Sequence, residues 1–147
     1  MKEKIYITND HTGVDMKNAL INHLQKAGYE VVDFGNNDGI ASNYAELGIQ
    51  LAKTVVNEPT SLGIVICGTG VGISVAANKV KGAIAGLSYE TQTAELIKKH
   101  NNANIIALGA RLIANDKAIK IVDTFLNTPF EGGRHKERVE VLKNYAK

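Results

Sequence analysis

The sequence predicts an α/β fold: a Rossmann-like three-layer α/β/α sandwich on a five-stranded parallel sheet, with an extra C-terminal helix. Three observations predict it. Short runs rich in β-branched residues alternate about five times with segments of helical periodicity, the pattern of a parallel sheet between helix layers. The run Leu62–Ile66 is apolar throughout, as a strand covered on both faces requires. No repeat, low-complexity tract or linker interrupts the 147 residues, so 1–147 reads as one domain with room for a sizeable core.

The elements follow in order. The first strand is expected over Ile5–Thr8, with a loop at Asn9–Gly13. Residues 14–27 place Met16, Ala19, Leu20, Leu24 and Ala27 at helical spacing, and Gly28 stops the helix. Tyr29–Phe34 is the second strand, and Gly35–Gly39 a loop by composition. Leu47, Leu51 and Val55 share one helical face and predict a helix over Tyr44–Val56, closed by Glu58-Pro59-Thr60-Ser61. After the third strand, Gly68, Gly70 and Gly72 make an abrupt turn into a helix over Val71–Val80. Ala83–Leu87 is the fourth strand, Thr91–Lys99 a helix and Ile105–Leu108 the fifth strand. Lys117–Leu126 is a helix with Ile121, Val122 and Phe125 on one face. Pro129–Gly133 is a break before a last helix, Arg134–Tyr145, carrying Val139, Leu142 and Tyr145. No strand follows it, so it packs on its own subunit or reaches a neighbour.

Composition narrows the function classes. Apolar residues make up 44% and charged residues 22%, ordinary for a globular protein. A net charge of +2 is too balanced to argue for nucleic acid. No apolar run approaches the ~20 residues of a membrane span. Met1-Lys2-Glu3-Lys4 leads straight into a strand, so no signal peptide is expected. The single cysteine forms no internal disulfide, and a reducing cytoplasm is the expected location.

Ligands of such sheets bind beyond the carboxyl ends of the strands. Asp10, His11, Cys67, Ser88 and Gly109-Ala110-Arg111 are expected there. A lone cysteine is most often a small buried hydrophobe. At a helix N-terminus, however, a thiol is biased toward thiolate, which serves as nucleophile or proton-abstracting base. The glycine turn lacks the features of a dinucleotide fingerprint and of a P-loop. It is either a tight turn alone or a donor array for an oxyanion or phosphate, with Thr69 and Ser74 adding hydroxyls. Arg134 and Arg138, four residues apart, share a helix face. They form a solvated basic face or a phosphate clamp, with Arg111 a third candidate. His11 and His100 sit in polar company, and Asp10 is placed to orient a histidine. His23 reads as a surface or boundary residue, and the role of His135 stays open. No histidine has metal-ligand spacing with another, so no metal and no cofactor are expected.

Together these residues resemble the B-type ribose-5-phosphate isomerase family, which also contains the galactose-6-phosphate and allose-6-phosphate isomerases. The resemblance runs essentially end to end. It is carried by Asp10-His11, the block Val65–Ser74, Ala76–Lys79, His100-Asn101 with Ala103-Asn104, Leu108–Arg111 and Glu131–His135. It implies an aldose–ketose isomerase of the pentose phosphate pathway, acting on a phosphopentose without a metal. The residue at His100 gives a proton as the sugar ring opens. The thiolate at Cys67 then moves a proton between C1 and C2 through a cis-enediolate. Gly68, Thr69, Gly70, Val71, Gly72 and Ser74 hold the developing oxyanion and substrate. Asp10, His11 and Asn101 contact the sugar, and Arg111, Arg134 and Arg138 the phosphate. The family builds its site at a dimer interface, which implies a homodimer, with a tetramer as the larger alternative.

The chain departs from the family pattern in places. Asn43-Tyr44-Ala45 stands where many relatives carry Asp-Tyr-Pro, and Asn102 replaces a common aspartate. Both bear on how the far end of the sugar is read. Some relatives use a glutamate at the position of Ser74 as base, but Cys67 is present here and takes that role. Galactose-6-phosphate isomerase divides the cysteine and the terminal arginines between two kinds of subunit. This chain keeps both, which favours a self-sufficient homo-oligomer. A six-carbon sugar phosphate remains the nearest alternative substrate. A non-catalytic phosphosugar-binding module would explain the arginines and the glycine turn, but not Cys67 with His100.

Overall fold

The computed structural model describes residues 2–145; Met1, on which the expectation of no signal peptide partly rests, lies outside them, as do residues 146 and 147. The chain runs β1 Lys4–Asn9, α1 Val14–Lys26, β2 Glu30–Asp33, α2 Tyr44–Val56, β3 Leu62–Cys67 and α3 Val71–Ala77. It continues through β4 Ala85–Leu87, α4 Thr91–Lys99, β5 Ile105–Gly109, α5 Asn115–Asn127 and α6 Arg134–Asn144. The strands form one five-stranded sheet in the order β2-β1-β3-β5-β4, and every neighbouring pair is parallel. The chain steps outward from β1 to β2 and returns past β1 to β3. The crevice at that reversal opens between the carboxyl ends of β1 and β3, where such folds place ligands.

Strand side chains alternate between the two faces of a sheet. Ile5, Ile7, Ile64, Ile66, Ile106 and Leu108 point to one face, against Met16, Leu20 and Leu24 of α1 and Ile121, Val122 and Phe125 of α5. Tyr6, Val65, Cys67, Ile105 and Ala107 point to the other, against Leu51, Ala52 and Val55 of α2 and Ile73 and Ala77 of α3. This is the predicted three-layer sandwich. The central strands β3 and β5 are buried at every residue, which explains why they read as continuous apolar runs.

Most element ends fall within one residue of expectation; three boundaries and one loop differ by more. The Asn9–Gly13 loop contains a short 3₁₀ turn, His11–Gly13, capped by Asp10. Helix α3 ends at Ala77, before Val80, because the Asn78 side chain leaves it to bond Ala85 of β4 through both N–H (2.8 Å) and C=O (2.9 Å). Strand β4 is correspondingly short, starting at Ala85. Helix α5 starts at Asn115, two residues before the expected Lys117.

The departures at Asn43 and Asn102 prove to be helix ends. Asn43 caps α2, its side-chain oxygen accepting from the N–H of Ala45 at 2.9 Å and of Glu46 at 3.4 Å. Asn102 has φ 48°, and asparagine tolerates this left-handed geometry better than most residues. Its N–H returns to Lys98 O, and that of Ala103 to Ile97 O, closing α4.

One buried charge went unmarked in the sequence. Lys17 of α1 is fully buried and ion-pairs with Asp33 at 3.1 Å. It also donates to Asn36 O at 2.7 Å and to the Asn37 side chain. These bonds pin the loop after β2 beside the carboxyl end of the sheet. Among the described residues, no helix is long and apolar enough to cross a membrane.

Candidate functional site

The predicted site residues gather into two groups at opposite ends of the sheet. The first lies at the carboxyl ends of β1, β3 and β5. Cys67 ends β3 and pairs in register with Gly109, which ends β5. The chain after β5 folds back over this point: Ala110 N–H donates to Cys67 O at 2.9 Å, and Arg111 N–H to Gly68 O at 3.0 Å. A Cβ on Gly68 would stand 3.4 Å from Arg111 Cδ, so the arginine stem lies along the turn. Asp10 joins from β1, its N–H donating to Ile66 O at 3.0 Å. Ser88, after β4, is buried and bonded to Glu90 O (2.7 Å) and Thr93 Oγ1 (2.8 Å), so its hydroxyl serves the loop.

The turn after Cys67 depends on Gly70. Its φ is 82°, and a Cβ there would stand 2.6 Å from Leu87 Cδ1 and 2.9 Å from Leu108 O. Glycine alone meets both the left-handed backbone and the lack of space. This conformation aims the Gly70 N–H at Cys67 Sγ, 3.2 Å away, in a thiol only 5% exposed. Thr69 braces the turn twice. Its Oγ1 accepts the Val71 N–H at 3.1 Å, and its carbonyl accepts the Tyr89 hydroxyl at 2.7 Å. The Ser74 hydroxyl donates to Val71 O at 2.8 Å. The donors expected from Gly70, Val71 and Ser74 are therefore engaged inside the turn. Thr69 accepts through its oxygen, and its hydroxyl proton stays available to a ligand. Gly72 lies under the Tyr44 ring, where a Cβ would enter the ring itself.

Asp10 does not orient a histidine. Its Oδ1 accepts from Thr12 N–H at 2.9 Å and from Thr12 Oγ1 at 2.6 Å, because its position before the 3₁₀ turn makes it a cap. His11 Nδ1 is buried with no hydrogen-bond partner among the described residues. A buried polar atom without a partner is uncommon and costly.

The second group lies at the amino ends of the strands. His100 is the C-cap of α4, followed by the exposed Asn101. His100 Nε2 is 3.5 Å from Glu131 Oε2, and His135 Nε2 is 3.7 Å from the same oxygen. The two imidazoles stack, centroids 4.2 Å apart and planes 14° from parallel. Burial, then the neighbouring His100 and Arg134, hold His135 below the ordinary histidine pKa, against the pull of Glu131. Arg134 and Arg138 stand exposed on α6, and none of the chain's arginines forms an ion pair with a described residue.

The two groups do not meet within one chain. Gly63 and Ile105 pair at the amino-terminal level of β3 and β5, four register positions below Cys67 and Gly109. That is about 13 Å of strand at ~3.3 Å per residue. His100 precedes β5 and lies at that lower level or beyond it.

Sequence spacing pairs no histidine with another as metal ligands, but the fold brings three groups of ligand type together. Ligand atoms of His100, Glu131 and His135 all lie within 4.8 Å of one another. Spacing concealed the cluster because α5 separates His100 from the other two in sequence while folding returns the chain beside it. Glu131 opens the Glu131–His135 block but carries no expected role, and no local pattern marks Tyr89.

Comparison with known proteins agrees with the fold and the motifs. The profile of the Ribose/Galactose Isomerase family matches residues 5–142. Ribose-5-phosphate isomerase B of Escherichia coli (strain K12) is 40% identical over 140 residues, covering 95% of this chain and 94% of that protein. The structure of Clostridium thermocellum ribose-5-phosphate isomerase B superposes with a TM-score of 0.92 at 44% identity, covering 95% of each chain. That of Mycoplasma genitalium ribose-5-phosphate isomerase B, with bound ribulose-5-phosphate, superposes with a TM-score of 0.90 at 43% identity, covering 95% of this chain and 93% of that one.

Proposed function

The chain belongs to the ribose/galactose isomerase family, and from that premise we infer that it interconverts ribose 5-phosphate and ribulose 5-phosphate. The observation that carries the reading is the cysteine held against a glycine turn, with Gly70 N–H on its sulfur and Arg111 beside it. Moving a proton next to a carbonyl requires a positioned base and a preorganised oxyanion site. A bound structure of a relative at 43% identity holds the ketose product of this reaction, ribulose-5-phosphate.

In the proposed reaction His100 protonates the ring oxygen as the C1–O bond of the cyclic sugar opens, and the proton of the anomeric hydroxyl is lost to water. Cys67 as thiolate takes the C2 proton of the open aldose, leaving a cis-enediolate; the proton on O2 passes to O1, and Cys67 returns its proton to C1. The Thr69 hydroxyl and the free N–H groups of the Gly68–Gly72 turn hold the enediolate oxygens. Asp10, His11 and Asn101 contact sugar hydroxyls. Arg111, Arg134 and Arg138 bind phosphate, whose binding energy positions carbons remote from it. No metal or cofactor has a part in these steps.

The distance between Cys67 and His100 within one chain supports a homodimer in which each site takes one group of residues from each subunit. Exposed Tyr44 on α2 and Val71 and Val75 on α3 are the kind of apolar surface that a second copy covers. A tetramer is the larger assembly consistent with this pairing. On this reading the chain is a single sugar-phosphate isomerase domain of the cytoplasm, serving the pentose phosphate pathway.

The deciding experiment is an isomerase assay with ribose 5-phosphate, allose 6-phosphate and galactose 6-phosphate, with unphosphorylated ribose as control. Preference for ribose 5-phosphate supports the reading. Preference for a six-carbon substrate reassigns it within the family, and binding without turnover makes the chain a phosphosugar-binding module.

A further inference from the structure

We propose that His100, Glu131 and His135 form a binding site for a zinc-class divalent metal ion, and that metal bound there switches the enzyme off. The inhibitory part rests on the reading of His100 as proton donor; the binding part does not.

The geometry is close to what such an ion requires. A tetrahedral zinc ion with bonds of ~2.0–2.1 Å spaces its ligand atoms about 3.4 Å apart. Glu131 Oε2 already lies 3.5 Å from His100 Nε2 and 3.7 Å from His135 Nε2. All three ligand atoms fall within 4.8 Å of one another, and the two imidazoles, stacked 14° from parallel without metal, turn out of that stack to aim their lone pairs at one ion. Two imidazoles and one carboxylate leave a fourth position for water. Nitrogen donors select zinc and its transition-metal neighbours over magnesium or calcium, which favour oxygen.

The backbone holds the ligands in place. Glu131 N–H donates to Lys99 O at 2.9 Å, fastening the turn one residue before His100. Gly132 (φ 73°) and Gly133 (φ 57°) reverse the chain in left-handed conformations, so Glu131 faces His135 across the start of α6. His135 N–H closes that reversal on Gly132 O at 3.1 Å. Two segments, the end of α4 and the reversal leading into α6, thus converge on one point without a metal to draw them together.

Arg134 and Arg138 flank the cluster and repel a cation. The site is therefore an occasional one, filled by excess metal. Metal on His100 Nε2 occupies the lone pair that would carry the proton for ring opening. Zinc is thus an inhibitor of this chain with no part in its turnover.

The test is calorimetric titration of metal-free full-length protein with Zn²⁺, with Co²⁺ as a spectroscopic probe. Both are run in Cys67→Ser protein, which removes the thiol as a competing ligand. The expected result is one ion per chain and a tetrahedral Co²⁺ spectrum. Glu131→Gln or His135→Gln, each checked for native circular dichroism, weakens binding at least ~10-fold. In protein retaining Cys67, Zn²⁺ inhibits reversibly, and Glu131→Gln raises the half-inhibiting concentration by a similar factor. Unchanged affinity in both ligand variants overturns the proposal, as does binding that disappears with Cys67→Ser. A chain that binds Zn²⁺ here but never isomerises ribose 5-phosphate in metal-free buffer refutes the functional reading alone. A chain that isomerises but shows no binding refutes the metal site alone.

Discussion

The separation of Cys67 from His100 makes a quantitative prediction about mixed subunits. Proton transfer requires donor and acceptor within about 3 Å of the reacting atoms. Cys67 ends β3 about 13 Å of strand above the level where β5 begins, and His100 precedes β5, so on the proposed reading one sugar meets Cys67 of one chain and His100 of another. Cys67→Ser and His100→Asn homodimers should each lose at least ~100-fold in turnover. When the two are mixed, unfolded and refolded together, random pairing makes about half the dimers heterodimers. In a heterodimer one site combines both mutated residues and the other combines both native ones. Half the sites in half the dimers are intact, so the mixture recovers about a quarter of wild-type activity per protomer. The assay is isomerisation of ribose 5-phosphate, with heterodimer content measured by native mass spectrometry. If heterodimers form and activity stays at the level of the parents, each chain carries its own complete site and the reasoning fails.

Other predictions concern single positions. Near-normal turnover in Cys67→Ser would remove Cys67 as the base; the expected loss is at least ~100-fold with substrate binding retained. Arg134→Ala should raise KM more than it lowers kcat, since phosphate lies away from the reacting carbons, and steady-state kinetics showing the reverse would count against the assignment. Activity should survive exhaustive chelation; loss restored by added metal would contradict the metal-free mechanism. Gly70→Ala should cost about 2–5 kcal/mol, combining left-handed strain with overpacking against Leu87 and Leu108. Gly39→Ala, with φ 76° and open space around it, should cost only about 1–2 kcal/mol, and equal losses in urea unfolding at one protein concentration would refute the packing argument.

What the sequence disclosed follows the range of the interactions involved. Helices α2 and α4 have the predicted limits, Tyr44–Val56 and Thr91–Lys99, because local signals end them. The Cys67 turn was legible because its parts are consecutive: strand, cysteine, three alternate glycines, helix. Helix α3 was overextended because the bond that ends it joins Asn78 to Ala85, across a turn that periodicity does not register. Asp10 is the opposite case: its partner Thr12 is a near neighbour, but a capping aspartate and one that orients a histidine look alike in sequence. The His100–Glu131–His135 cluster depends on α5 carrying the chain back to the end of α4, and no local pattern encodes that return. Nor did hydrophobicity suggest that Lys17 lies in the interior, since a lysine is buried only where partners from distant segments surround it.

The placement of the two residue groups at opposite ends of one sheet also bears on how such a protein can evolve. If a site draws one group from each of two copies, a duplicated gene offers two chains that need not both stay intact. One copy can lose its cysteine turn while the other loses its histidine and arginine end. The pair still builds one complete site, and each chain becomes dependent on the other. The released crevice is then free to drift toward new ligands without loss of the original reaction. A split site thus converts gene duplication directly into an obligate hetero-oligomer, with no new interface required.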